Sequence, residues 1–196
     1  MSRIGIFGSS FNPLHVGHLI MAEQAMERLL LDKVLLVPTK SPYHKRSQML
    51  DFDKRYNMAV IEADLNDRIE VSDVEEKIEG NSYTFDVINL LKTEYPDSDF
   101  FFIMGSDSLI GFEKWYKADE LLSMASFVVF QRPEDESVDG LVDDYKDKGI
   151  AIHYFNDLQI EISSTYIRNC LKEKKSVKYL LTEGVINYIK ENDLYE

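Results

Sequence analysis

Apolar positions recur along this chain in two rhythms. From Arg3 to Phe7 and from Lys33 to Val37 they run nearly unbroken, as in strands buried on both faces. Between them, over Val16–Leu31, residues Leu19, Ala22, Met26, Leu29 and Leu30 fall at helical spacing. Strand, loop, helix and strand make a βαβ unit, whose crossover is expected to be right-handed. Asp51–Leu65 reads as a second helix with Asp51 as its N-cap, and Ile69–Val71 as a weaker strand. Ser82–Tyr95 is helical, with Val87, Ile88 and Leu91 on one face, and Asp99–Met104 and Phe127–Phe130 are apolar strands. Beyond Pro133 the rhythm loosens. Glu134–Lys148 is acidic and is expected to form a surface loop with a short helix. Ile150–Tyr154 reads as one more strand, Ile160–Ile162 as a short extended approach, and Ser164–Lys172 and Thr182–Glu191 as closing helices. This alternation predicts an α/β fold: a Rossmann-like, doubly wound parallel sheet with helices on both faces. No repeat, low-complexity tract or Pro/Gly-rich linker interrupts it, so residues 1–196 are expected to form a single domain.

Composition narrows the class. No apolar run is long enough to span a membrane, and Met1-Ser2-Arg3 leads straight into a strand without the stretch a signal peptide needs. Cys170 is the only cysteine, which excludes an internal disulfide and a Cys-based zinc site and fits a reducing cytoplasm. With 35 acidic against 22 basic residues the formal charge is −13, which repels nucleic acid and anionic membranes. One island opposes this balance: Lys40, His44, Lys45, Arg46, Lys54 and Arg55. It reads as a contact for a small anion or as a solvated basic loop, and composition does not separate the two.

Candidate chemistry gathers where strands end. Gly8-Ser9-Ser10-Phe11-Asn12-Pro13-Leu14-His15-Val16-Gly17-His18 joins the first strand to the first helix, the junction at which open α/β sheets bind ligands. Its glycines let a ligand approach the backbone, and the helix start offers free N–H groups to an anion. His15 and His18, three apart, share a helix face and can donate to phosphate oxygens as charge builds. The spacing is neither the dinucleotide G-x-G-x-x-G nor the P-loop. A metal site finds no carboxylate or thiol partner nearby. Ser163 or Ser164 can cap a later helix whose N-terminus is a second anion site, and Arg168 can reach a phosphate bidentately. Asp107 follows Asp99–Met104 and Gly105 at another strand end, where it serves a ligand or caps a helix. Trp115, the only tryptophan, suits a ring-stacking role or a half-buried place in the core.

The motif G-x-F-x-P-x-H-x-G-H resembles the signature of the nucleotidyltransferase superfamily related to class I aminoacyl-tRNA synthetases. Within it, nearly the whole chain resembles the bacterial nicotinate-nucleotide adenylyltransferases. The resemblance extends to Ile162-Ser163-Ser164-Thr165-Tyr166-Ile167-Arg168, Pro38 through Lys45, Ser82-Tyr83-Thr84, Ile103-Met104-Gly105-Ser106-Asp107, Phe112 with Trp115, and Arg132-Pro133. It implies catalysis by His15, His18 and Arg168. It implies ATP contacts at Gly8, Ser9, Ser10, Phe11, His15, His18, Gly105, Asp107, Ile162, Ser163, Ser164 and Arg168, with Asp107 on the ribose. For the second substrate, nicotinate mononucleotide, it implies His44, Lys45, Tyr83, Thr84, Trp115, Tyr116 and Arg132. Trp115 would stack on the pyridine, and main-chain amides near Thr84 and Tyr116 would receive its carboxylate. Asn12 stands where Asp is usual, Ser9 where Gly is common and Tyr43 where a second Pro is common.

The implied reaction joins the mononucleotide to ATP, giving deamido-NAD and pyrophosphate. A phosphate is already a nucleophile at neutral pH, so positioning and charge stabilisation suffice, with Mg2+ carried by the triphosphate. No nucleic-acid or membrane partner is expected, and a homo-oligomer stays open. Other readings are a superfamily member acting on nicotinamide mononucleotide, pantetheine phosphate or a CTP-dependent substrate, and a nucleotide sensor without turnover. Length and the lack of a K-M-S-K-S segment speak against a tRNA synthetase.

Overall fold

The computed structural model of the protein describes residues 1–40, 49–133 and 135–195. Its strands are β1 (Ser2–Ser9), β2 (Lys33–Pro38), β3 (Ile69–Val71), β4 (Ser98–Gly105), β5 (Ser126–Phe130) and β6 (Ile152–Phe155). They form one sheet in the order β3-β2-β1-β4-β5-β6, every neighbouring pair parallel. The helices are α1 (Val16–Leu29), α2 (Phe52–Ala63), α3 (Thr84–Glu94), α4 (Ser106–Ile110), α5 (Ala118–Leu121), α6 (Asp139–Asp147), α7 (Ser164–Lys172) and α8 (Glu183–Glu191). This is the doubly wound Rossmann-like α/β architecture expected from the alternation. The strand order reverses between β1 and β4, so their carboxyl ends flank the crevice where such sheets bind ligands.

Both faces of the sheet are dry, which is why the strands read as continuous apolar runs. Successive side chains alternate faces. Ile4, Ile6, Phe100, Phe102 and Met104 point to a core shared with Val87, Ile88 and Leu91 of α3 and Val142 of α6. Phe7, Phe101 and Ile103 point to the other, with Ala22, Ala25 and Met26 of α1 and Ala59 of α2. A third cluster fastens α7 and α8 to α2 through Met58, Ile167, Cys170, Val185 and Ile189. Cys170 is thus a small packing residue.

Two details differ from expectation. Asp51 occupies the N-cap position of α2, but its side chain makes no cap hydrogen bond. Between β4 and β5 the chain forms the short helices α4 and α5, too brief to carry a legible period. Among the described residues, no helix is long and apolar enough to cross a membrane.

Candidate active site

The loop after β1 turns directly into α1, with His15 at the N-cap in extended conformation and Val16 the first helical residue. His18 is then the third helical residue, and the two imidazoles stack with centroids 3.7 Å apart. The His15 main-chain N–H donates to His18 Nδ1 at 3.2 Å. A nitrogen that accepts carries no proton, so neutral His18 holds its proton on Nε2 and can offer it to a ligand. Phe7 and Phe11 brace the His18 ring edge-on, at 5.7 and 5.1 Å between centroids. Gly17 permits this packing, since a Cβ there would lie 3.1 Å from the His15 ring.

Burial disfavours the charged form of both rings. It lowers His15 to about 4, helped by the nearby Arg132 guanidinium. It holds His18 well below the ordinary imidazole range, with His15 and Arg132 adding to the effect. Both imidazoles are therefore neutral donors at neutral pH, and the positive charge belongs to Arg132.

Arg132 follows β5 at its carboxyl end. Its main-chain N–H donates to Ser106 Oγ at 2.9 Å, and its Nε pairs with Asp107 Oδ1 at 3.0 Å. Gly105 lets the pair close, because a Cβ there would sit 2.5 Å from Asp107 Oδ1 and 2.6 Å from Arg132 Nε. The start of α7 supplies the opposite wall. Ser163 caps that helix by accepting the Tyr166 N–H at 3.2 Å, and Ser164 Oγ donates across the fold to the Pro13 carbonyl at 2.9 Å. Together Ser9, Ser10, His15, His18, Arg132 and Ile162–Thr165 enclose a cleft of about 150 Å3. It joins two helix N-termini, two neutral donors and a guanidinium, a set suited to phosphate groups.

A family model described as cytidylyltransferase-like matches residues 6–170. The nicotinate-nucleotide adenylyltransferase of Bacillus subtilis (strain 168) is 37% identical over 197 residues, covering 100% of both chains. A Plasmodium falciparum nicotinic acid mononucleotide adenylyltransferase complexed with NaAD superposes with a TM-score of 0.81 at 21% identity, over 100% of this chain and 98% of that one. The chain belongs to the nicotinate-nucleotide adenylyltransferases. Membership makes it a nucleotidyltransferase of NAD biosynthesis.

For an adenylyltransferase, the placement of the remaining predicted residues is informative. Arg168 does not line the cleft. The residue is 8% exposed, and its guanidinium lies behind the loop, donating from Nη1 to the Asn12 carbonyl at 2.8 Å and from Nη2 to Thr165 Oγ1 at 3.0 Å. Both terminal nitrogens are thus engaged within the fold, while Nε has no hydrogen-bond partner among the described residues. Phe11 is fully buried and backs His18 instead of facing the cleft. A Cβ at Gly8 would make ordinary van der Waals contact with the Phe102 ring and the Val37 carbonyl, both at 4.0 Å. Arg132, expected on the mononucleotide side, stands beside the histidines.

The residues expected for the pyridine form a second group. Tyr83 is the N-cap of α3 and Thr84 its first residue, and the Tyr83 and Tyr116 rings lie 4.7 Å apart, both partly exposed. Trp115 is half-buried, edge-on to Phe102 and tilted against Phe112. It borders a hollow of about 620 Å3 with Lys117 and Tyr145, which shares no residue with the histidine cleft. His44 and Lys45 lie outside the described residues.

Arg55 departs from the basic island. It is completely buried and donates to the carbonyls of Leu50 at 2.9 Å, Ser10 at 2.7 Å and Thr39 at 2.7 Å. It ties the loops after β1 and β2 to the start of α2 and has no face left for an anion. Nothing in the sequence marks it apart from an ordinary helical cation. Arg132 was more legible: it follows an apolar strand at its carboxyl end, the rule that singles out Gly8 and Asp107.

Proposed function

We propose that the chain transfers AMP from ATP to nicotinate mononucleotide in the cleft between the β1–α1 loop and the start of α7. The observation that carries this reading is the convergence of two stacked, neutral imidazoles and the Arg132 guanidinium with the α7 N-terminus. A phosphate oxygen of the mononucleotide attacks the α-phosphorus in line. A new P–O bond forms as the bond to the bridging oxygen of pyrophosphate breaks, and pyrophosphate leaves with the electron pair. Negative charge grows on the equatorial and leaving oxygens, where His18 Nε2–H and Arg132 stabilise it without any proton transfer. Asp107 holds the Arg132 guanidinium in place through Nε, and the same carboxylate would hold the adenosine ribose.

The donor set suits a magnesium ion that arrives on the triphosphate. Among the described residues no three His, Cys, Asp or Glu side chains converge to hold one, and magnesium favours phosphate oxygens and water. Main-chain N–H groups near Thr84, at the start of α3, and near Tyr116 would receive the pyridine carboxylate, with Trp115 stacking on the ring. We place the whole chain in one domain that works in the cytoplasm, the lone buried Cys170 fitting a reducing setting. The deciding experiment measures pyrophosphate release from ATP with nicotinate and nicotinamide mononucleotides at equal concentration. Preference for the acid is expected; preference for the amide would overturn the substrate assignment.

A further inference from the structure

We infer that Tyr195 is a positioning residue for adenylyl transfer, acting through Asn12 on the loop that carries the histidines. The inference rests on the proposed site. Tyr195 Oη donates to Asn12 Oδ1 at 2.8 Å across 183 residues of sequence. Tyr195 is 9% exposed and Asn12 5% exposed, so the bond is shielded from water. The same Asn12 oxygen also receives the Leu50 N–H at 3.4 Å. Asn12's main-chain carbonyl takes the Arg168 guanidinium, and the next carbonyl, Pro13, takes Ser164 Oγ. These attachments hold the back of a loop whose Ser9, Ser10 and His15 face the cleft.

The chain goes to some cost to place this phenol. Asp193 and Tyr195 both adopt positive φ, at 49° and 67°, a left-handed conformation unfavourable for a residue with a Cβ. Leu194, between them, is buried in the cluster formed by α2, α7 and α8, which anchors the turn. Burial holds the Tyr195 phenol above its ordinary pKa, so it remains a donor throughout the working range of pH. No feature of the sequence flags Tyr195, one of 11 tyrosines. Its role follows from the fold.

Positioning predicts a particular kinetic signature. Tyr195→Phe keeps the ring and its packing but removes its hydrogen bond to the Asn12 amide, and small displacements of a catalytic loop cost large factors in rate. We expect kcat to fall about tenfold while KM for ATP and for the mononucleotide changes less than about threefold. In an Asn12→Ala background the same change should have no further effect on kcat, because its route of action is gone. Amide exchange over residues 9–14 should rise in Tyr195→Phe while exchange in β1 and β4 stays as in the wild type, a readout that needs no turnover. Unchanged kcat well below the melting temperature, or effects that multiply in the double variant, would overturn the proposal. Wild-type turnover with each mononucleotide tests the functional reading separately, since the variant ratios can be measured on whichever substrate the wild type accepts.

Discussion

At the residue scale, the site separates hydrogen-bond donation from charge. His18 and His15 are neutral because their stacked rings are buried and face Arg132. His18→Ala removes a donor aimed at developing charge, and we expect kcat to drop about a hundredfold or more, as for loss of an oxyanion contact. Steady-state kinetics at saturating ATP checks this, with circular dichroism confirming an intact fold. Binding ATP places negative charge beside the imidazoles, which favours their protonated forms, so both pKa values should rise on titration with the nucleotide. NMR of labelled histidines reads the shift, and a downward movement would contradict a phosphate next to the rings. Gly105→Ala should force Asp107 and Arg132 apart, because its Cβ would approach both within 2.6 Å. KM for ATP is expected to rise at least severalfold with little change in Tm. The histidines were legible because they open the helix that follows an apolar strand, and Ser163 because a serine just before a helical period is a natural cap. The position of Arg168 was not. Whether an arginine faces a ligand or turns behind a loop depends on carbonyls supplied from Asn12, a distant part of the chain.

At the element scale, the sheet was readable because each strand is dry on both faces and each long helix has one apolar side. The short helices α4 and α5 were missed because five and four residues complete barely a turn. Loops are held by groups that periodicity does not reveal, and Arg55 is the clearest case. Arg55→Ala would leave the carbonyls of Ser10, Thr39 and Leu50 without this partner in a partly buried place, at up to roughly 1–3 kcal/mol per group before any relaxation or water entry. We expect a total loss of about 3 kcal/mol or more by urea unfolding. Arg55→Lys should recover little, since an ammonium cannot reproduce a fork that reaches three separate segments. Full recovery by lysine would show that charge alone matters there.

At the scale of the whole molecule, two buried groups impose opposite pH dependences on stability. His15 falls from 6.5 to about 4 on folding, so the unfolded chain takes up its proton first and stability declines as pH drops through that range. Glu75, which accepts the Lys40 N–H at 2.8 Å, rises by burial from 4.5 to about 6. The folded state then holds the extra proton, and stability declines as pH rises through the same region. Relative to wild type, Glu75→Gln should make stability climb more steeply with pH between 4.5 and 6, and His15→Gln should make it climb less. Urea midpoints across that interval check both signs. The loop bearing His15 is joined to residues far along the chain: Pro13 to Ser164, Asn12 to Arg168, and the Val16 N–H to the Leu180 carbonyl at 3.1 Å. Contacts between such remote partners carry a large closure entropy and form late in folding. A chain with its central strands already paired would still lack a fastened catalytic loop. Weakening these ties should therefore speed unfolding while leaving the refolding rate nearly untouched, so the catalytic loop is among the last parts of the molecule to gain its working shape.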